Sequence, residues 1–444
     1  MNKTILVLLC DDFRLSDNPA LFNACLNSNQ VILLYVYNEN YLGRKLGSAS
    51  KVFLHHTLKS FNSLVSNQLL LKEGNAITEI KKIDREEKID AIYFNRSYTK
   101  AQIELEEAIK ISFPKKEIKS FKSKLLFEPS EIQTGSGRYF KVFTPFWKKC
   151  LQKIDLISPP LPQPKNINFK KHQIQSLTLD DLNLLPKNEG NWHQKTIQNW
   201  AINNLEFDYK KISQNIADFA FEKISNYSEA RNIPSLEATS KISPYLRFGL
   251  ISIGEVFSKA QNNKNSTQFI AELCWREFAY HVMFYHQDLS WVELKPEYKE
   301  FQFIEDKESF KKWQKGETGY DIVDAGMKEL WQTGWMHNRV RMITASFLIK
   351  DLLIDWKSGE EWFWNTLFDA CPATNPFSWQ WVFGSGFDSA PYFRIFNPDL
   401  QRDRFDPKKE YCQKWLGKNY QTPKIVDHNF QRKITLELYK KCKN

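Results

Sequence analysis

The chain contains no C-x-x-C pair, and its seven cysteines, Cys10, Cys25, Cys150, Cys274, Cys371, Cys412 and Cys442, are scattered and odd in number. That usage argues against a disulfide framework and a zinc site, and for a reducing compartment. A G-x-G-x-x-G fingerprint and a G-K-[ST] loop are also missing; Gly135-Ser136-Gly137 and Gly384-Ser385-Gly386 have the wrong spacing. Any dinucleotide bound here is therefore held by some other fold. No apolar run is long: Ile5 to Leu9 stops at Cys10-Asp11-Asp12, too short for a signal peptide or a membrane span. A cytoplasmic protein without a membrane partner is expected. There is no internal repeat, and the only biased tail is the short basic end, Lys440-Lys441-Cys442-Lys443.

At 444 residues the chain is long enough for two or three domains, each with its own core, and two are expected. Its 62 Lys+Arg against 52 Asp+Glu give a formal charge of +10. That balance fits an anionic partner such as nucleic acid, and equally a lysine-rich proteome. The first stretch alternates short apolar runs, Thr4–Leu9, Val31–Tyr37, Leu69–Leu71 and Ala91–Phe94, with amphipathic segments such as Val52–Asn67 and Lys100–Ser112. This pattern predicts a parallel α/β sheet wound with helices. After Ser158 comes Pro159-Pro160-Leu161-Pro162-Gln163-Pro164 and a polar, lysine-rich stretch, read as an interdomain linker. From about Gln194 the apolar spacing is helical almost throughout. Of the 14 tryptophans only Trp147 precedes Trp192. The expected domains are 1–130 (α/β), 131–193 (linker) and 194–444 (helical).

Thr239-Ser240-Lys241-Ile242-Ser243-Pro244 sets a Ser before a Pro, the pairing of an N-cap and a first helical position. Its hydroxyls and open amides serve either as a plain cap or as a diphosphate seat. Glu272, Trp275 and Arg276 stand at i, i+3 and i+4, presenting a carboxylate, a broad ring and a guanidinium on one helical face. Asn338, Arg341 and Met342 do the same in Trp335-Met336-His337-Asn338-Arg339-Val340-Arg341-Met342. An internal Glu–Arg pair and ordinary packing explain either face alone; two such faces in one Trp-rich region favour a binding site. His337 has no second His at ligand spacing, and no metal is expected. Asp369 to Trp381 and Ala390-Pro391-Tyr392-Phe393-Arg394-Ile395-Phe396-Asn397-Pro398 follow no periodicity.

On these last stretches, and on Arg14-Leu15-Ser16-Asp17-Asn18-Pro19-Ala20-Leu21, Thr318-Gly319-Tyr320-Asp321-Ile322-Val323-Asp324-Ala325-Gly326-Met327 and Gly334-Trp335-Met336-His337-Asn338-Arg339, the sequence resembles the cryptochrome/photolyase family. Its pattern is similar to that of the class I enzymes that split cyclobutane pyrimidine dimers. The resemblance implies an N-terminal antenna-type α/β domain joined by a long linker to a helical domain that holds FAD in a folded-over form. It places Tyr227, Thr239, Ser240, Lys241, Ile242, Ser243, Arg276, Arg341, Asp369, Cys371 and Asn375 at the flavin. It places Glu272, Asn338, Met342, Trp275 and Trp381 at the lesion, and Arg231, Arg339, Arg394 and Gln401 near the backbone of UV-damaged DNA. The implied mechanism is electron transfer from photoexcited, reduced flavin to a flipped-out dimer, with Glu272 stabilising the charge that develops there. A monomer is implied, with nucleoid association when bound to DNA. A second antenna chromophore, folate or deazaflavin, is left open.

Three positions depart from the family pattern. The tryptophan chain that feeds electrons to the flavin matches at Trp379 and Trp356 but ends on Phe303, which implies slow or rerouted photoreduction. Cys371 replaces an acidic residue, and Cys10-Asp11 stands where Arg-Arg is usual. Asn375, where plant-type cryptochromes carry Asp and animal-type ones Cys, favours repair over signalling, as does the absence of a long tail. A cryptochrome-type photoreceptor and a flavoprotein specialised for single-stranded lesions are the alternatives.

Overall fold

The structure, a computed structural model, describes residues 3–187, 190–203, 207–389 and 393–442. The expected motif residues Ala390, Pro391 and Tyr392, and Lys443 of the basic end, lie outside the described residues. Five parallel strands, β1 (Thr4–Leu8), β2 (Gln30–Tyr37), β3 (Leu69–Glu73), β4 (Ala91–Asn95) and β5 (Glu117–Phe121), form one sheet in the order β3-β2-β1-β4-β5. Ile5 pairs with Val31 on one side and Ala91 on the other. Four of these strands are the apolar runs of the sequence. The fifth, Glu-Ile-Lys-Ser-Phe, is a half-exposed edge whose charged side chains hide its strand character.

Because side chains alternate along a strand, the sheet has two different faces. Leu6, Leu8, Ile32, Leu34, Ile92 and Phe94 pack under the Ala76–Glu87 and Lys100–Ser112 helices as a closed core. Ile5, Val7, Leu33 and Tyr35 point the other way and join a core that runs on into the helical part of the chain. The two halves meet closely at two glycines. A Cβ on Gly47 would lie 2.1 Å from the Trp364 carbonyl, and one on Gly249, at φ +67°, 2.1 Å from that of Asp11. The proline-rich segment expected as a linker is not free. Leu161 is tied to Asp17, and Phe169 pairs in parallel with Val31 where β3 does not reach.

Beyond the sheet the chain is helical, dominated by Thr267–Tyr285, Asp321–Thr333, Asn338–Ser346, Trp356–Thr366, Thr374–Phe383 and His428–Lys441. Among the described residues no helix is long and apolar enough to cross a membrane, and no His/Cys/Asp/Glu group is arranged to hold a metal ion.

Candidate flavin and DNA site

The Thr239–Ser243 loop turns at Lys241, whose φ of +48° lies in the left-handed region. The short helix that follows starts at Ser243 with Ile242 as its cap, so the expected Ser243 N-cap is corrected by one residue. The Ser243 hydroxyl is thereby free to donate to Asp369 Oδ2 at 2.6 Å. Arg341 grips the same carboxylate with two hydrogen bonds of 3.1 and 2.9 Å, a fork geometry that fixes both partners. Lys241 Nζ lies 5.4 Å from the centre of the Trp335 ring, while Thr239 and Ser240 are half-buried just before it. Three distant segments thus converge on a lining of hydroxyls, one carboxylate and two cations, a donor set suited to a diphosphate and sugar.

At the start of the Thr374–Phe383 helix, Asn375 Nδ2 donates to the Glu360 carbonyl at 3.1 Å and to its carboxylate at 2.8 Å. Its amide nitrogen is thereby committed, leaving Oδ1 as the polar atom available to a ligand. Burial pushes the Glu360 carboxyl up to about 7, although Arg44 binds it at 2.8 and 2.9 Å. The Arg44 guanidinium lies 4.1 Å from the Trp364 ring centre and 5.0 Å from that of Trp291. Arg44 sits in the loop after β2, and nothing in its sequence context marked it.

Arg276 donates to the Lys124 carbonyl and to Glu277, at 3.0 and 3.1 Å, and lies 4.7 Å from the Tyr280 ring centre. Cys371 Sγ donates to the Tyr280 hydroxyl at 3.3 Å, which gives the non-acidic replacement a partner. Asp11 also acquires an account. Its carboxylate meets Arg247 at 2.7 Å and the Tyr41 hydroxyl at 2.9 Å, while Arg247 Nε holds the Ala370 carbonyl at 2.9 Å. Burial alone would raise Asp11; Arg247 and Lys124 prevail and hold it below the ordinary carboxylate range. The α/β domain therefore braces the Asp369–Asn375 segment through Asp11.

The second face is built on the Thr267–Tyr285 helix. Glu272 accepts from Gln268 at 2.8 Å and is ion-paired with Arg231 at 2.6 Å, so Arg231 is committed to this carboxylate rather than standing free. Burial nevertheless raises the Glu272 pKa, against the opposing pull of Arg231. Trp275 is stacked on Phe143, with ring centres 3.7 Å apart and planes 9° from parallel. One indole face is covered by this stack, and the Phe278 and Phe377 rings lie 5.9 and 6.3 Å from the half-buried indole. Asn338 is exposed and contacts Met342 Sδ at 4.0 Å, one turn on. Tyr227 and Ile242 are buried, Tyr227 beneath Arg231 at 5.6 Å.

Around this face lie cations on rings. Arg394 stands 5.2 Å from the Trp381 ring centre. Arg339 and Arg404 lie 4.4 and 5.1 Å from that of Phe405, and Gln401 is half-buried on the same Pro398–Phe405 helix as Arg404. Arg404 was missed at the sequence level, since only the fold brings it to the Phe405 ring. Buried Trp379 touches Phe363 and Trp313, at 5.0 and 6.3 Å, and buried Trp356 donates to Glu293 at 3.2 Å. Phe303 packs half-buried on Phe301 and Phe383, at 5.0 and 5.3 Å.

Two further features lie apart from these faces. Where the strand order reverses between β1 and β4, Cys10, Asp12, Asn95 and Lys124 line a small cavity. Elsewhere Trp331, 59% exposed, lies parallel to Trp362, with centres 6.0 Å apart and planes within 3°.

These features define a two-part flavoprotein scaffold in which a cofactor cradle and a cation-rimmed aromatic surface share the same helices. Comparison with known proteins agrees. The FAD binding domain of DNA photolyase matches residues 269–437, and the DNA photolyase domain matches residues 5–165. A deoxyribodipyrimidine photo-lyase of Agrobacterium fabrum is 36% identical, over 98% of this chain and 97% of its own. Cryptochrome-2 of Arabidopsis thaliana is 30% identical, over 98% and 74%. The crystal structure of a class III photolyase from Agrobacterium tumefaciens superposes with a TM-score of 0.93 at 35% identity, covering 100% of this chain and 98% of that one. The chain belongs to the DNA photolyase family, as an FAD-binding member. The solved structure is given as class III, whereas the motifs implied class I; what the comparisons support is the family.

Proposed function

We propose that the protein repairs cyclobutane pyrimidine dimers in UV-damaged DNA under blue light. The observation that carries this is Trp275, half-buried and stacked flat on Phe143, one helical turn from the half-buried carboxylate of Glu272. An extruded dimer stacks on such a surface at modest cost, since a damaged step is already poorly paired. In this proposal Trp275 and Trp381 wall the lesion, Glu272 and Asn338 hydrogen-bond its edges, and Met342 packs against it. Arg339, Arg394, Gln401 and Arg404 face the phosphates. Arg231 acts by orienting Glu272.

Thr239, Ser240, Lys241, Ser243, Arg276, Arg341, Asp369 and Asn375 would hold the flavin, with Tyr227, Ile242 and Cys371 packed around it. When bound, FAD supplies the light absorption and one-electron chemistry that no side chain here provides. The chain's own share is to place the lesion, keep water out and offset charge. The division at 130 and 193 assigns the cofactor and lesion to the helical domain. The open Trp331–Trp362 pair suits a flat antenna better than the β1/β4 cavity, which the Lys124–Asp11 contact at 3.4 Å borders. Folate and deazaflavin both remain candidates.

The test is a duplex oligonucleotide with one cyclobutane thymine dimer, incubated with the reduced, flavin-loaded protein. Reversion in blue light, none in the dark, and no effect on a (6-4) lesion are expected. No light-dependent reversion would overturn the proposal and favour the photoreceptor alternative. Reversion confined to a single-stranded substrate would favour the other.

A further inference from the structure

Arg394 lies on a loop that is held from behind. The Phe396 amide donates to Ser346 Oγ at 3.2 Å, and the Phe393 ring stacks on Tyr439 with centres 4.1 Å apart and planes 8° from parallel. The backbone of Arg394 itself is held by Lys350, from the π-helical turn Phe347–Asp351, whose ammonium donates to the Arg394 carbonyl. Lys350 is 1% exposed. Its nitrogen lies 4.2 Å from the Phe393 ring centre, and the residue lines, with Trp381, Gly384, Ser389, Arg394 and Phe396, a small cavity. The adjacent carboxylate, Asp351, is engaged with His428 Nδ1 at 2.5 Å.

Removing an ammonium from water is strongly unfavourable, and a ring face with one carbonyl offsets it less well than a carboxylate would. An apolar side chain of similar length would serve the fold better. A lysine in this position therefore calls for a role other than stability.

We propose that Lys350 is a positioning residue for lesion binding: by holding the Arg394 carbonyl it keeps the Arg394 guanidinium over Trp381, so that stacking wall and cation are presented together. This rests on the dimer-binding function proposed above. Charge on the amine strengthens the hydrogen bond. Burial pushes the Lys350 ammonium down to about 7; Arg394 acts in the same direction and Asp351 opposes it. The groups facing it are Asp351 from its own turn, Arg394 from the loop, and, from the His428–Lys441 helix, His428 through Asp351 and Tyr439 through Phe393. Dimer affinity should therefore fall as pH rises through about 7. Stability moves the other way. Native Lys350 gives up its proton near 7 and the unfolded chain near 10.5, so the fold gains stability between those values. The opposite signs separate positioning from structural support.

The experiment measures binding of flavin-loaded full-length protein to dimer-bearing and undamaged duplexes from pH 6 to 9, by anisotropy, for the parent, K350M and K350R. The parent should show a fall in dimer affinity centred near 7. K350M should bind the dimer about tenfold more weakly at pH 6, as expected for one lost charge-assisted hydrogen bond, with no inflection and with flavin content retained. K350R should recover the affinity and also lack the inflection. Parental affinity in K350M, or an inflection that persists in either variant, overturns the proposal. Should K350M fail to load flavin, K350R alone decides it. A parent with no preference for the damaged duplex overturns the functional proposal itself, and this one with it.

Discussion

Around the cradle proposed for the flavin, guanidinium groups have carboxylate partners: Arg341 has Asp369, Arg276 has Glu277, Arg247 has Asp11 and Arg44 has Glu360. On the face proposed for DNA, Arg394 lies on Trp381, and Arg339 and Arg404 share Phe405. Among the described residues none of these three has a carboxylate within ion-pair distance. The same residue type thus does two jobs. A paired guanidinium is neutralised and fixes the geometry of a cradle, whereas one resting on a ring keeps its charge for a phosphate. Arg231, paired with Glu272 on the face proposed for the lesion, lies between the two regimes.

If the paired set is structural, breaking its most buried member has the largest effect. Asp11 and Arg247 side chains are each 2% exposed, so D11N should cost about 3–5 kcal/mol in denaturant unfolding of the holoprotein and lower flavin retention. A loss below about 1 kcal/mol would break the distinction. E360Q sharpens it through pH. Because Glu360 is raised to about 7 in the fold, the native protein holds a proton there that the unfolded chain has lost. Stability therefore falls as pH climbs from the ordinary carboxylate range to about 7, at up to about 1.4 kcal/mol per pH unit for this group. E360Q should flatten that slope, and an unchanged slope would contradict the assignment.

On the other side, W381A should weaken dimer binding by about 1–3 kcal/mol, the worth of one stacked base, while leaving flavin content alone. Equal losses for damaged and undamaged duplex would deny Trp381 its place at the lesion. The smallest effect belongs to R404A. It should reduce the slope of log affinity against log salt by about 1 and weaken all sequences alike, with no change in thermal stability. A salt slope identical to the parent's would remove Arg404 from the DNA surface.

The alternating apolar runs made β1 to β4 legible because those strands are buried on both faces; β5 was not, since Glu117 and Lys119 are paired along an exposed edge. The 3.6-residue period put Glu272, Trp275 and Arg276 on one helix, but could not say what each would meet. Glu272 chose Arg231 over the guanidinium one turn away, and Trp275 found its backing in Phe143 from a distant helix. Tertiary partners of this kind leave no periodic trace. Arg44, Glu360 and Lys350 were invisible for the same reason, and Asp11 stood out only as a departure without a role: each acts across a junction that exists only once the chain has folded.

The central claim is that flavin and lesion lie side by side, one held by the paired cations and the other by the ring-mounted ones. Fluorescence lifetime of the reduced, flavin-loaded protein tests it most directly. Adding duplex with a cyclobutane dimer should shorten the lifetime, through electron transfer to the dimer, while undamaged duplex leaves it unchanged. A lifetime indifferent to the dimer, in protein shown to bind it, would contradict the account.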